Sequence, residues 1–137
     1  MTNNTRKLLP EEAIALICMC AIQADTRIRS TELKKLTYMI ALSPLYRHIK
    51  DPVEYISSLN REFSGQEVEK IINDAIDALS PSLCETAYAW AYEIVMSDLG
   101  VSQDEHVYLN LLVKKMGING NLAGKIGVVI AILNRKG

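Results

Sequence analysis

Apolar residues recur at intervals of three and four along most of this chain, the spacing that forms one face of an α-helix. The pattern predicts seven helices, near residues 10–24, 30–43, 52–61, 65–79, 81–98, 103–116 and 121–134. Only Gly127–Leu133 (GVVIAIL) resembles a buried strand, and the sequence offers it no second strand for pairing. We therefore interpret this segment as a buried helix and predict an all-α fold.

Polar residues mark where several of these helices begin. Asp51 and Ser80 each precede a proline, so we expect both to be N-caps, with the proline in the first helical position. Ser64 and Ser102 each lie three residues before a glutamate, the spacing of a capping box. Gly117 is expected to end the sixth helix in the left-handed conformation.

Length and charge narrow the class of protein. The 137 residues fit one domain, and we assign 1–9 to an N-terminal tail and 10–137 to a single all-α domain. The formal net charge of −1 gives no electrostatic reason to expect nucleic acid or an anionic membrane as partner. The longest apolar runs, Ala13–Ile22 and Gly127–Leu133, are too short for a transmembrane helix, so we expect no membrane insertion.

The spacing of the three cysteines favours a packing role for them. Cys18, Cys20 and Cys84 contain no CxxC pair, so neither a zinc site nor a redox motif is predicted. We interpret them as small buried hydrophobic residues in a reducing compartment. Since the N-terminus also lacks the apolar stretch of a signal peptide, a cytoplasmic location is expected.

The sequence contains an internal similarity. A shift of 73 residues places Asp25 on Asp98 and Glu32 on Glu105. The apolar positions that match in the same register are Ile14 with Ala87, Ile17 with Trp90, Ala21 with Ile94, Leu36 with Leu109, and Ile40 with Val113. We therefore predict two related helical hairpins, each with an acidic loop between its helices. A purely structural role also accounts for the residues of the two loops. Each Asp can cap backbone amides, and each Glu is favoured at the positive, N-terminal end of the following helix.

The two loops resemble the hallmark of the TerB-like family, the all-helical tellurite-resistance domain, in which Ala-Asp-Gly-x-(Ile/Val)-x-x-x-Glu occurs twice. Residues 24–32 read ADTRIRSTE and residues 97–105 read SDLGVSQDE. The doubled motif and the chain between its copies span residues 24–105, and with the helices beside them the resemblance covers most of the protein. The sequence departs from the motif at the glycine, which is replaced by Thr26 and Leu99.

This resemblance implies a divalent-cation site, for Ca²⁺ or Mg²⁺, formed by the paired acidic loops. The residues at the corresponding positions are Asp25, Glu32, Asp98, Asp104 and Glu105. Hard cations favour such oxygen ligands. Two cationic side chains, Arg27 and Arg29, occupy the first loop and favour another arrangement, in which they form salt bridges with the carboxylates of the second loop.

The leading functional hypothesis is a non-catalytic, TerB-like stress-response module that acts through protein contacts, with tellurite or chemical stress implied by the resemblance. A first alternative is a metal-dependent enzyme that uses Asp98, Asp104 and Glu105. A second is a ligand-free helical adaptor or homodimer, with its interface on the Tyr88/Tyr92 face or the last helix. Three aromatic residues, Tyr88, Trp90 and Tyr92, form a cluster in the fifth predicted helix. We place Trp90 in the core with the two tyrosines at its edge; a partner-binding patch is the other interpretation.

Overall fold

The computed structural model describes residues 6–24, 30–96 and 100–136, and every regular element within these ranges is helical. The α-helices are α1 (Pro10–Ala24), α2 (Ser30–Leu42), α3 (Pro52–Phe63), α4 (Val68–Asp77), α5 (Pro81–Val95), α6 (Gln103–Met116) and α7 (Gly120–Leu133). A 3₁₀ turn, Pro44–Tyr46, lies between α2 and α3. The predicted all-α fold of about seven helices is confirmed.

Most of the predicted helix ends are present. The side chain of Asp51 accepts a hydrogen bond from the Glu54 N–H at 3.1 Å, and that of Ser80 accepts one from the Leu83 N–H at 3.3 Å. Gly117 ends α6 with a φ of 68°, the left-handed conformation in which glycine has no steric cost. These helix ends are stabilised by residues close in sequence, so the local sequence is sufficient to predict them.

The capping box predicted at Ser64 is wrong. Helix α3 continues to Phe63, whose side chain is buried in the core, so Ser64 lies at the end of α3 instead of the start of α4. Gly65 then turns the chain with a φ of +88°. Helix α4 begins at Val68 without a side-chain cap. Burial of Phe63 thus outweighs the local capping signal.

The core is built around α1. All ten residues from Ala13 to Ile22 are buried, because α4 and α5 pack extensively on this helix and α2, α3 and α6 enclose its remaining sides. A helix that is apolar on every side is stable in water only when it is covered in this way. Within the ranges described, no helix combines the length and apolar character needed to cross a bilayer.

The three thiols lie inside this core. Cys18, Cys20 and Cys84 are buried and unbridged, as predicted. Burial raises the pKa of all three thiols, that of Cys20 to about 12. Since the thiolate is the reactive form, these side chains are packing residues and poor nucleophiles at neutral pH.

The aromatic cluster on α5 is arranged differently from the prediction. Tyr88 is only 4% exposed, whereas Trp90 is half-buried and contacts the Tyr46 ring at a centroid distance of 5.6 Å. Tyr88 shares the buried face of α5 with Ala91 and Val95, at helical spacings of three and seven. Trp90 points about 100° away from the centre of that face, since each residue turns the helix by about this angle.

Two side chains connect helices that lie far apart in the sequence. The Tyr108 hydroxyl on α6 donates a buried hydrogen bond of 2.8 Å to the Ile17 carbonyl on α1. The Lys35 ammonium on α2 donates to the carbonyls of Glu93, at 2.7 Å, and Met96, at 3.1 Å, at the end of α5. Lys35 and Tyr108 are 73 residues apart, the register of the internal similarity. The repeat itself stays a prediction.

Residues 6–9, within the segment that we assigned to the tail, contact α1 and α3. The Arg6 guanidinium donates to Glu12 at 2.9 Å and to Glu62 at 2.6 Å, and Glu12 also accepts from the Leu9 N–H at 2.8 Å. Burial raises the pKa of Glu12, but its hydrogen bonds to Arg6 and Leu9 outweigh this effect and hold the pKa below its ordinary value.

Replacing Tyr108 with phenylalanine tests the link between α6 and α1. We expect Tyr108→Phe to lower the free energy of unfolding by about 1 kcal/mol, the net value of one buried hydrogen bond. Urea denaturation measures the change. Tyr38→Phe is the matched control, since Tyr38 lies on α2 with 68% of its surface exposed. Equal stabilities of the two variants would contradict a stabilising role for this hydrogen bond.

The lowered pKa of Glu12 predicts a pH-dependent contribution to stability. A carboxylate with a lowered folded-state pKa stabilises the protein above its ordinary pKa, here 4.5, and loses this effect as the pH falls through the folded-state value. Glu12→Gln should therefore be less stable than wild type at neutral pH, with the difference vanishing in acid. Glu54→Gln, which removes an exposed pair with Arg61, should change stability little at either pH. A pH-independent loss for Glu12→Gln would contradict the assignment.

Candidate functional site

The structure describes three of the five predicted metal ligands. Asp25 and Asp98 lie outside the described residues, as do Arg27 and Arg29, the predicted salt-bridge donors. The remaining carboxylates, Glu32, Asp104 and Glu105, lie in the first turns of α2 and α6. These helix starts follow directly on the two loops that carry the doubled motif.

Glu105 is completely buried at the start of α6. Its Oε1 accepts a hydrogen bond from the Ser102 N–H at 2.9 Å, and the Glu105 N–H donates to Ser102 Oγ at 3.2 Å, which confirms the predicted capping box. Its Oε2 is also buried and accepts no hydrogen bond within the described ranges. Glu105 therefore holds the helix start with one oxygen and directs the other into the interior.

Glu32 occupies the corresponding place on α2, and it is only 5% exposed. Asp104, by contrast, faces the solvent. Burial of a carboxylate is costly unless donors or a positive charge compensate it, and the positive end of a helix supplies part of that compensation. The matched positions thus hold buried acidic groups, each within six residues of a loop segment that lies outside the described ranges.

The described residues do not by themselves form a metal centre. Among them, no three His, Cys, Asp or Glu side chains converge as metal ligands. His48 lies at the surface with Nε2 3.1 Å from Glu11 Oε2, and His106 is exposed on α6. The predicted ligand set needs Asp25 and Asp98 as well, so it stays a prediction.

Helix α7, the last helix and one of the two interfaces considered for the adaptor or homodimer alternative, presents a second candidate site. We expected a buried helix, and this was wrong, because Ile130 is its only buried residue. Four large side chains face solvent, with exposed fractions of 60% for Val128, 54% for Val129, 46% for Ile132 and 71% for Leu133. We call these four residues the α7 apolar face.

The way α7 packs explains this exposure. In the part of the chain that the structure describes, α5 is the only helix that it contacts extensively. A Cβ atom at Gly127 would lie 2.9 Å from the Tyr92 hydroxyl, so glycine is what allows the two helices to approach closely there. Asn134 secures the far end by donating from Nδ2 to Glu93 Oε1 at 2.9 Å.

An open groove of about 540 Å³ runs between α6 and α7, with α5 as its floor. Its lining includes Tyr88 and Tyr92 of α5, His106 and Asn110 of α6, and Gly124 and Ala131 of α7. A Cβ atom added at Gly124 or at Gly120 would meet nothing within 4 Å. The groove and the α7 apolar face therefore form one continuous surface with room beside the helix.

The signal for this surface was present in the sequence but ambiguous. Lys125 is the only charged residue of α7, and apolar residues lie all around the helix. That composition indicates either complete enclosure, as in α1, or an apolar surface available to a partner. The periodicity of the sequence cannot distinguish an enclosed helix from one with an exposed apolar surface, because burial depends on how many other helices pack around it.

Comparisons with known proteins do not decide between the two candidate sites. No family model, curated protein or solved structure matches this chain. The functional argument therefore depends on the chemistry and geometry of its own residues.

Proposed function

We propose that this protein is a non-catalytic, TerB-like module that acts by binding another protein, and that the α7 apolar face is its contact surface. The observation that carries the proposal is the 46–71% exposure of four large aliphatic side chains on one helix. The partner chemistry that fits is an apolar helical face, because the α7 surface carries a single charged residue, Lys125. The association with tellurite and chemical stress follows from the resemblance of the two loops alone.

The size of the exposed surface supports this role. The four side chains expose about 400 Å² of apolar area, within the range of about 300–600 Å² found for the largest patches on monomeric proteins, which are often functional. At about 25 cal/mol per Å², burying this area would contribute about 10 kcal/mol before the entropic cost of association is subtracted. That contribution is large enough to support a specific protein contact.

The chemistry of the described residues supports a non-catalytic role. Glu105 is engaged in a capping box, and Asp104 is exposed to solvent. Burial raises the pKa of the three thiols and leaves them protonated at neutral pH. The enzyme alternative depends on Asp98 in combination with these two carboxylates, and its nucleophile would have to be a metal-bound water.

A photo-crosslinking amino acid at position 132 tests the proposed contact surface. We expect irradiation of source cells to give covalent protein adducts from this position, because a partner would cover it. Position 53 is the control: Val53 lies on α3 and is 61% exposed. Adducts at both positions in equal amounts, or none at 132, would contradict the proposal.

A divalent-cation site at the acidic loops is the second candidate. The observation that favours it is Glu105 Oε2, a buried carboxylate oxygen that accepts no hydrogen bond among the described residues. Oxygen ligands of this kind suit Ca²⁺ or Mg²⁺, and Glu32, Asp25 and Asp98 would supply the others. A bound cation would neutralise the buried acidic groups and hold the two loops together.

Calorimetric titration with Ca²⁺ and Mg²⁺ tests this second candidate. We expect wild-type protein to release or absorb heat on binding, and Glu105→Gln, which keeps the side-chain shape but removes its charge, to give none. Glu85→Gln, at an exposed position on α5, is the control and should bind like wild type. The absence of heat from intact wild-type protein at millimolar metal would end the metal hypothesis.

A further inference from the structure

We infer that α7 is a releasable helix, which undocks from α5 as a unit while the other helices stay folded. Three residues hold it in the docked position: Glu93 of α5, Lys35 of α2 and Asn134 at the end of α7. We call them the Glu93 latch. The inference deepens the proposed function and rests on it for its purpose, because release exposes the inner side of α7 in addition to the α7 apolar face.

Only one side of α7 packs on the rest of the fold. Leu122 and Ile126 are half-buried and Ile130 is buried, and these residues follow one another at a spacing of four along that side. Within the described ranges, α5 is the only helix that α7 contacts extensively, whereas five helices pack on α1. A segment with few buried apolar contacts opens at a lower free energy than the core. Release of α7 therefore costs less than unfolding of the helices around α1.

The composition of α7 makes its helical structure dependent on docking. The helix has 14 residues, and its interior includes Gly124 and Gly127. Glycine disfavours helix interiors, and an isolated helix of this length is marginal in water even when it consists of good helix formers. Once α7 leaves α5, it therefore loses its backbone hydrogen bonds, and its amides exchange with solvent.

The Glu93 latch fixes the C-terminal end of α7. Glu93 Oε1 accepts the hydrogen bond of 2.9 Å from Asn134 Nδ2, and Asn134 caps the last turn of α7. Glu93 Oε2 lies 3.5 Å from the Lys35 ammonium, which also donates to the backbone carbonyls of Glu93 and Met96 at the end of α5. Lys35 thus holds the Glu93 side chain in the orientation in which it accepts from Asn134. A change at Lys35 therefore reaches α7 through Glu93, although α2 and α7 are not in extensive contact in the described ranges.

Release changes the surface that the protein presents to a partner. In the docked state α7 exposes its outer, apolar face, and its inner residues lie against the fold. In the released state the inner residues are exposed as well, together with Tyr92 of α5, on which α7 packs at Gly127. A partner that binds the released helix more tightly than the docked one shifts the equilibrium toward release. Docking on α5 thus limits access to part of the contact surface.

Native-state amide hydrogen exchange of the purified chain, measured by NMR, tests the inference. We expect the hydrogen-bonded amides of α7 to share one opening equilibrium, with protection at least about tenfold lower than in α1, the equivalent of about 1.4 kcal/mol. Protection that instead decreases gradually toward residue 133 would indicate fraying of the last turn. Equal protection in α7 and α1 would show that α7 opens only with the whole fold. Either result would overturn the releasable helix.

Replacement of the buried residue of α7 tests whether docking limits the opening. Ile130→Ala should lower the protection of α7 relative to α1 by about tenfold or more, because it removes the apolar side chain that α7 buries in the fold. Val129→Ala is the matched control, since Val129 is the adjacent residue and is 54% exposed, and it should leave this ratio unchanged. Equal effects of the two substitutions would contradict docking on α5 as the cause of protection.

Substitutions in the Glu93 latch test its role. Glu93→Ala should lower the protection of α7 relative to α1 by about tenfold, because the hydrogen bond from Asn134 loses its charged acceptor. Lys35→Met should lower it in the same direction, although Lys35 lies on α2. Glu85→Ala, at an exposed position on α5, is the control and should leave α7 unchanged. An unchanged ratio in Glu93→Ala would remove Glu93 as the residue that holds α7.

The exchange experiment needs no partner, so its outcome is separable from that of the proposed function. A chain whose α7 opens only with the whole fold, but which forms adducts from position 132, would leave the proposed function standing and overturn release. A chain whose α7 opens by itself, but which forms no such adducts, would remove the proposed function and leave the releasable helix.

Discussion

The enclosure of α1 is the constraint on which the rest of the structure depends. This helix has ten consecutive buried residues and no polar face of its own, so it is stable only when other helices cover every side. Five helices do so, and their positions around α1 decide which of their own faces remain exposed. Helix α7 is not among the helices that contact α1 extensively, and its surface exposure follows from that arrangement.

Local chemistry explains which parts of the fold were predictable. The N-caps at Asp51 and Ser80, the capping box at Ser102 and the end of α6 at Gly117 each depend on residues within one helical turn. The number of helices and their approximate limits follow from the same signals together with periodicity. A single sequence was sufficient for these features, because their stabilising interactions are made by near neighbours in the chain.

The features that could not be predicted depend on tertiary packing. Ser64 has the spacing of a capping residue, but burial of Phe63 extends α3 past the expected limit. Tyr88 is buried in place of Trp90 because α5 turns its Ala91 side to the core. At the candidate sites, the capping role of Glu105 was predicted, whereas its burial and the exposure of α7 were not. The apolar composition of that helix resembles α1, and only the number of surrounding helices distinguishes them.

The hydrogen bond between Tyr108 and Ile17 has a consequence for how the chain folds. It joins residues 91 positions apart, and α5, which packs extensively on α1, also lies far from α1 in sequence. Helical proteins with mostly local contacts fold fastest, and closing long loops slows the search for the native state. On the ribosome, α1 is synthesised first and its cover from α5 and α6 comes last. The ten consecutive apolar residues of α1 therefore wait for most of the chain before they can be fully shielded from water, and during that interval aggregation competes with folding.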